Sequence, residues 1–310
     1  TLPLLYKTEC CVIGGGPSGT AAAVNAAQKG AKTVLVERGI ALGGLQTLGL
    51  VVPMMRTFAP NSDTPYVQLV KSRMKSYGIE MSDGVTTYGW TNPETLALVY
   101  DALCAEAGVE VLYHTVLVDI VADNGKIKAC IVQTIAGLAA IEAEVFVDAS
   151  GDAMLARLAG VPTESGSEQT GKNQPLSFRF EMGGINLERL YQYDAGELKD
   201  DWCKTKPPYF EIAQARHRAI RYKLEDFFQQ GVASGELQPE DAEYVQAFTV
   251  IGKPGTMSMN CPELPFAFSA TEPLSYSRGV TYGRAMIHRL SQYLVKHMPG
   301  FEHAYISREA

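Results

Sequence analysis

One stretch near the amino terminus restricts the fold more than any bulk property does. Residues 8–13 (Thr-Glu-Cys-Cys-Val-Ile) read as a short buried strand, and the run Gly14-Gly15-Gly16-Pro17-Ser18-Gly19 breaks it. An Ala-rich helix over 20–29 follows and ends at Gly30, and residues 32–37 read as a second buried strand. Strand, glycine turn, helix and strand within about thirty residues make a βαβ unit, the start of a doubly wound α/β sheet.

Within that unit the spacing Gly14-x-Gly16-x-x-Gly19 has a specific physical meaning. Gly14 permits the tight turn, Gly16 lets the backbone approach a pyrophosphate, and Gly19 allows close helix–strand packing. Pro17 and Ser18 occupy the first helical turn, where Pro lacks a donor that is not needed and the free amides and the helix dipole face an anion. Glu37 stands 18 residues beyond Gly19, at the end of the second strand. A carboxylate there accepts hydrogen bonds from ribose hydroxyls and repels a 2′-phosphate, which argues against NADP. The loop alone does not separate FAD from NAD. The pair Gly43-Gly44 favours FAD, because the ribityl-flavin arm needs a further close backbone approach.

Downstream, helices are expected over 64–77, 93–107 and 275–297, the last with Val280, Ile287, Leu290 and Leu294 on one face. Strands are expected over 109–121, 127–134, with a turn at Asn124-Gly125, and 141–148, which ends in Ala149-Ser150-Gly151-Asp152. After about residue 160 the pattern is less regular: a strand over 176–182, a helical stretch over 208–230, and short strands and turns over 247–270. Of the residues, 46% are hydrophobic and 20% charged, the make-up of a globular chain. The net charge is −7 and no Lys/Arg run exceeds two residues, so nucleic acid has no electrostatic footprint. No apolar run is long enough for a membrane span.

The segments GGGPSG, VLVERG and GGLQTLGLV resemble the amino-terminal signature of FAD-dependent oxidoreductases of the glutathione-reductase type, and FVDASGD at 146–152 resembles their second strand-end turn, with Ser150 where Thr is common. GKPGTMSMN and HMPGFEHAYI look like a bacterial subgroup related to the flavin subunits of heterodisulfide-reductase-like proteins. The resemblance implies a Rossmann-like α/β FAD-binding domain over 1–160, with a central parallel sheet and a hairpin insert at about 110–140, and an α+β substrate or cap domain over 161–310. It implies that Gly14, Gly16, Pro17, Ser18 and Gly19 hold the pyrophosphate, Glu37 the adenosine ribose, and Arg38 the adenine side. Gly43 and Gly44 would approach the phosphates and ribityl chain, Gln46 and Thr47 the isoalloxazine, and Val118 would offer backbone contacts on the adenine side. Ala149, Ser150, Gly151 and Asp152 would close over the adenosine half. The family's final strand-and-helix segment has no counterpart before Ala310, so a longer chain or a second chain is expected to complete the FAD domain; the start at Thr1 leaves a trimmed end or a removed leader open.

Candidate catalytic groups are few. Arg56, in the stretch after the glycine pair, would pair an anionic substrate group or stabilise the charge of reduced flavin; His288, one turn beyond Arg284, is a candidate general acid. No metal site is expected, because the six cysteines and five histidines lack ligand spacing. The cysteines read as buried reduced thiols, which favours a reducing, cytoplasmic compartment. Three functions fit: a flavoenzyme acting on a small organic molecule, an NAD-dependent dehydrogenase, and a nucleotide-binding subunit without turnover of its own. The second glycine pair and the 149–152 turn favour the first over the second.

Overall fold

The computed structural model describes residues 2–55, 64–81, 88–195, 207–215 and 224–310. The order is β1 (Leu4–Ile13), α1 (Pro17–Gln28), β2 (Thr33–Val36), β3 (Pro53–Met55), α2 (Pro65–Ser76), β4 (Tyr88–Trp90), α3 (Pro93–Ala107), β5 (Glu110–Leu112), β6 (Val116–Asp123), β7 (Lys126–Thr134) and β8 (Gly137–Asp148). Then come α4 (Met154–Leu158), β9 (Phe180–Gly183), α5 (Leu187–Ala195), β10 (Glu211–Ala215), α6 (Leu224–Ser234), β11 (Tyr244–Thr249), β12 (Met257–Met259), α7 (Pro273–His297) and β13 (Tyr305–Glu309). The chain divides into two compact units, one of Thr1–Leu48, Pro60–Tyr77 and Pro93–Glu164, the other of Gly49–Ala59, Gly78–Asn92 and Ser165–Ala310.

The first unit is a mixed α/β layer structure around a six-stranded sheet of order β5-β2-β1-β8-β7-β6. Pairings β5–β2, β2–β1 and β1–β8 are parallel, and β8–β7 and β7–β6 are antiparallel. The last four residues of β1, Cys10–Ile13, are all buried, as expected of a central strand covered on both faces. Cys11 and Ile13 join the cluster with Val34, Val36, Cys130, Val132 and Ile141. On α1, the small residues Gly19, Thr20 and Ala23 are buried, so the helix lies close to β1 and β2. The stretch 109–121 holds the strands β5 and the start of β6: His114 adopts φ 48° and turns the chain between them.

The second unit carries an antiparallel sheet of order β10-β11-β12-β9-β13. Its core face contributes Phe180, Met182, Met257, Met259, Val245, Ala247, Phe210 and Ile212 to a cluster with Phe228 of α6 and Ile287, Leu290 and Leu294 of α7. Across the opposite face the pairing sets Glu211 beside Phe248, Phe248 beside Ser258, and Ser258 beside Glu181. The expected helix over 208–230 is corrected here. Residues 211–215 are strand β10, because Phe210 and Ile212 alternate into the core, and α6 covers Leu224–Ser234. The described cysteines, 10, 11, 104, 130 and 261, are buried and free. No described helix is long and apolar enough to cross a membrane.

Candidate functional site

The site is built on the carboxyl end of β1, between its parallel neighbours β2 and β8. Open α/β sheets bind ligands in the crevice outside the carboxyl ends of their strands. Gly14 donates its amide to Val36 O at 2.8 Å and takes φ +100°. A Cβ on Gly14 would stand 2.4 Å from Ala149 O, and one on Gly19 would stand 1.7 Å from Gly14 O. Both glycines are therefore required by the protein's own packing. Gly16 differs: a Cβ there would meet nothing within 4 Å. It is the N-cap of α1, no side chain caps the helix, and its first turn holds no acidic residue. The open space at Gly16 and the uncapped amides beyond Pro17, at Ser18 and Gly19, form a cradle suited to an anion.

Glu37 is buried at the end of β2. Its Oε2 accepts from the Gly15 amide at 2.7 Å and its Oε1 from the Gly39 amide at 2.6 Å. Each oxygen of an ionised carboxylate keeps a second lone pair for a further donor such as a ribose hydroxyl. The carboxylate thus ties the glycine loop to the strand end and stays able to accept. Arg38, the next residue, is exposed.

The second glycine pair packs on the first loop. The Gly43 amide donates to Gly15 O at 2.8 Å, and a Cβ on Gly44 would come within 3.2 Å of Gly16 Cα. Both residues have positive φ, +100° and +51°. The turn is held by Thr47, whose buried hydroxyl donates to Leu42 O at 2.6 Å. Gln46 accepts at Oε1 from the hydroxyl of buried Tyr100 on α3, at 2.7 Å. Burial pushes that phenol well above its ordinary range, so it remains a donor.

The third turn follows β8. The Ala149 amide donates to Ile13 O at 2.8 Å, which fixes the turn beside Gly14. Sequence reasoning passed over Asp148. Its Oδ1 accepts from the Ser150 amide at 3.0 Å and hydroxyl at 2.7 Å, its Oδ2 from the Ala156 amide at 2.9 Å, and Ser150 Oγ accepts from the Met154 amide at 2.9 Å. Burial raises the carboxyl, but these hydrogen bonds outweigh it and hold Asp148 below its ordinary value. The Asp-x-Ser spacing at a strand end was the available signal. Gly151 and Asp152 are exposed.

Val118 is exposed on β6, an edge strand of the sheet, three residues after Thr115, whose amide donates to Glu37 O at 3.0 Å. Arg56 falls outside the described residues. His288 is exposed on α7 in the second unit and lines an open groove of about 550 Å³ with Gln292, Lys296 and Tyr305. The second unit also holds two charged residues that sequence reasoning did not single out, buried Arg179 and buried Glu181.

A family model for FAD dependent oxidoreductases matches residues 9–310. The chain belongs to that family. FAD is accordingly the cofactor of this FAD dependent oxidoreductase. The chain is 28% identical over 171 residues to the digeranylgeranylglycerophospholipid reductase of Methanothrix thermoacetophila, a match covering 51% of this chain and 43% of that protein. It is 29% identical over 169 residues to the Methanoculleus marisnigri protein of the same name, covering 50% and 42%. The oxidoreductase thus spans less than half the length of these curated relatives. Among solved structures, a geranylgeranyl bacteriochlorophyll reductase-like protein from Thermoplasma acidophilum matches with TM-score 0.53 and 15% identity, over 98% of this chain and 65% of that one. L-proline dehydrogenase from P. horikoshii matches with TM-score 0.51 and 15% identity, over 99% and 81%. At these identities the likeness concerns the fold.

Proposed function

We propose that the chain is a flavoenzyme that transfers hydride or electrons between a small organic substrate and FAD. The observation that carries this reading is Gly16: a backbone position open on the ligand side, at an uncapped helix N-terminus, with Gly44 packed against it. In this reading Gly14 and Gly19 shape the loop, while Gly16, Ser18 and Gly19 offer the pyrophosphate their backbone. Pro17 presets the first helical turn. Glu37 accepts from the ribose, Arg38 flanks the adenine side, and Gly43 and Gly44 admit the ribityl chain. Gln46, oriented by Tyr100, stands toward the flavin end, and Thr47 keeps the turn closed. Asp148 rigidifies the turn that carries Ala149, Ser150, Gly151 and Asp152 over the adenosine half. The second unit serves the substrate side. Bound FAD supplies a two-electron acceptor or donor; the protein binds and orients it.

The test follows from the geometry. In Gly16→Ala the new methyl meets no protein atom, so the chain folds but the cradle is filled. Candidate reductants should bleach the flavin absorbance of the wild-type protein under anaerobic conditions. Gly16→Ala should carry little flavin and show no turnover. Turnover by flavin-free Gly16→Ala contradicts the reading.

A further inference from the structure

On the face of the five-stranded sheet away from the helices, Arg179 is a cation without a counter-charge among the described residues. Only 8% of it is exposed. Its guanidinium donates from Nη1 to Leu50 O at 2.9 Å, and no carboxylate stands within ion-pair distance among the described residues. Glu181, two residues on, is taken by Lys253 Nζ at 3.0 Å and by Ser307 Oγ at 2.9 Å. Among the described residues, the other ionisable groups that bear on Arg179 are Tyr244 and Cys261, a phenol and a thiol that are neutral in their ordinary protonated forms. Burial pushes the Cys261 thiol up to about 12. Burial draws Arg179 itself down to about 10, which leaves it charged at neutral pH.

A structural duty toward Leu50 does not account for this arginine. Leu50 O already accepts from Ser258 Oγ at 2.7 Å and from the Val52 amide at 3.0 Å, which fills both lone pairs of a carbonyl. Leu50 itself holds φ 56°, a left-handed conformation that costs energy for a branched side chain and is retained where the surroundings over-determine it. A buried, unpaired charge is destabilising by itself, and folds keep such groups where a ligand completes them. With one Nη1 hydrogen used, the Nε–Nη2 edge is left, and that edge matches a planar carboxylate through two parallel hydrogen bonds.

We propose that Arg179 recognises the carboxylate of a small organic acid, the substrate of the flavoenzyme reading above, on which this inference rests. Arg179 takes the part that the sequence suggested for Arg56.

The full chain reconstituted with FAD is titrated calorimetrically with acetate, benzoate and succinate, and with inorganic phosphate as a non-planar anion. The same titrations are made on Arg179→Met and on Arg179→Lys, which keeps the charge but loses the fork. At least one carboxylate should bind the wild-type protein more tightly than phosphate does, and both variants should weaken it tenfold or more. Arg179→Met should melt no lower than wild type, because it removes an uncompensated buried charge. The proposal is overturned by carboxylate affinity that is unchanged in Arg179→Met, by phosphate binding tighter than every carboxylate, or by no carboxylate binding at all. A melting loss in Arg179→Met as large as that of a core truncation also overturns it, because the arginine would then be structural. Flavin content is read separately: carboxylate binding that depends on Arg179 in a protein that takes up no flavin contradicts the flavoenzyme reading and leaves the recognition site standing.

Discussion

The carboxylate of Glu37 accepts the amide of Gly15 at 2.7 Å, so the residue expected to hold the ribose also holds the loop expected to hold the pyrophosphate. With the Gly39 amide on its other oxygen, Glu37 closes a ring between the end of β2 and the start of α1. The proposed ligand-facing role and the structural role share one side chain.

Replacing Glu37 with Gln therefore has two consequences. A carboxamide has one acceptor oxygen, so one of the two amides meets an NH2 group instead. Hydrogen bonds to a charged acceptor contribute about 1.5–3 kcal/mol. FAD affinity should fall about tenfold or more, since about 1.4 kcal/mol is one decade. The melting temperature without FAD should fall as well. Titration of flavin fluorescence and thermal unfolding read the two effects; loss of affinity with unchanged unfolding would show that the amide ring is unimportant to the fold.

Gly16 and Gly19 should respond to alanine in opposite ways. Gly19→Ala places a methyl 1.7 Å from Gly14 O, so the chain should fail to fold or lose most of its stability. Gly16→Ala meets open space at φ −66°, so unfolding without FAD should stay within about 0.5 kcal/mol of wild type, while FAD binding is lost. Circular dichroism and flavin content distinguish them, and normal flavin binding by Gly16→Ala would sink the cradle.

Asp148 should make part of the stability depend on acid. Its folded-state pKa lies below the unfolded value of about 3.9, so its contribution is present above that pH and is lost as pH falls through the folded value. Asp148→Asn should lose stability at pH 7 and show a shallower decline as pH falls below about 4. Unfolding midpoints across that range check this; parallel curves for the two proteins contradict it.

Glu211 should act in the reverse sense. Burial raises its carboxyl to about 7, above the unfolded value of about 4.3. The native state then holds the proton longer than the unfolded chain does, so stability present below about pH 4.3 is lost as pH rises toward 7. Glu211→Gln should flatten that slope and leave the protein more stable than wild type at pH 8. Urea unfolding at pH 5 and pH 8 provides the comparison, and an unaltered pH slope in the variant would contradict the assignment.

The first unit was largely legible because its signals are local. Positive φ at Gly14 and Gly43 and the helix opening at Pro17 are written in residue type and spacing. Asp148 escaped notice because an Asp at a strand end is common, and only the folded turn brings Ser150 and Ala156 to it. Arg179 escaped for a different reason. The alternation Phe178-Arg179-Phe180-Glu181-Met182 shows two faces, but not that the polar face is buried as well; that depends on residues 50–52, more than a hundred positions earlier. The composition over 208–230 suggests helix although Phe210 and Ile212 alternate, because the strand character of 211–215 comes from pairing with β11.

The central claim is that this chain builds a site for FAD from the glycine loop, Glu37 and the second glycine pair. The most direct measurement is the cofactor released by heat from protein reconstituted with excess FAD and freed of unbound ligand, quantified and identified by chromatography. Close to one FAD per chain, lost in Gly16→Ala and reduced in Glu37→Gln, is the predicted result. FMN in its place, saturable NAD binding without flavin, or full FAD retention in Gly16→Ala would contradict it.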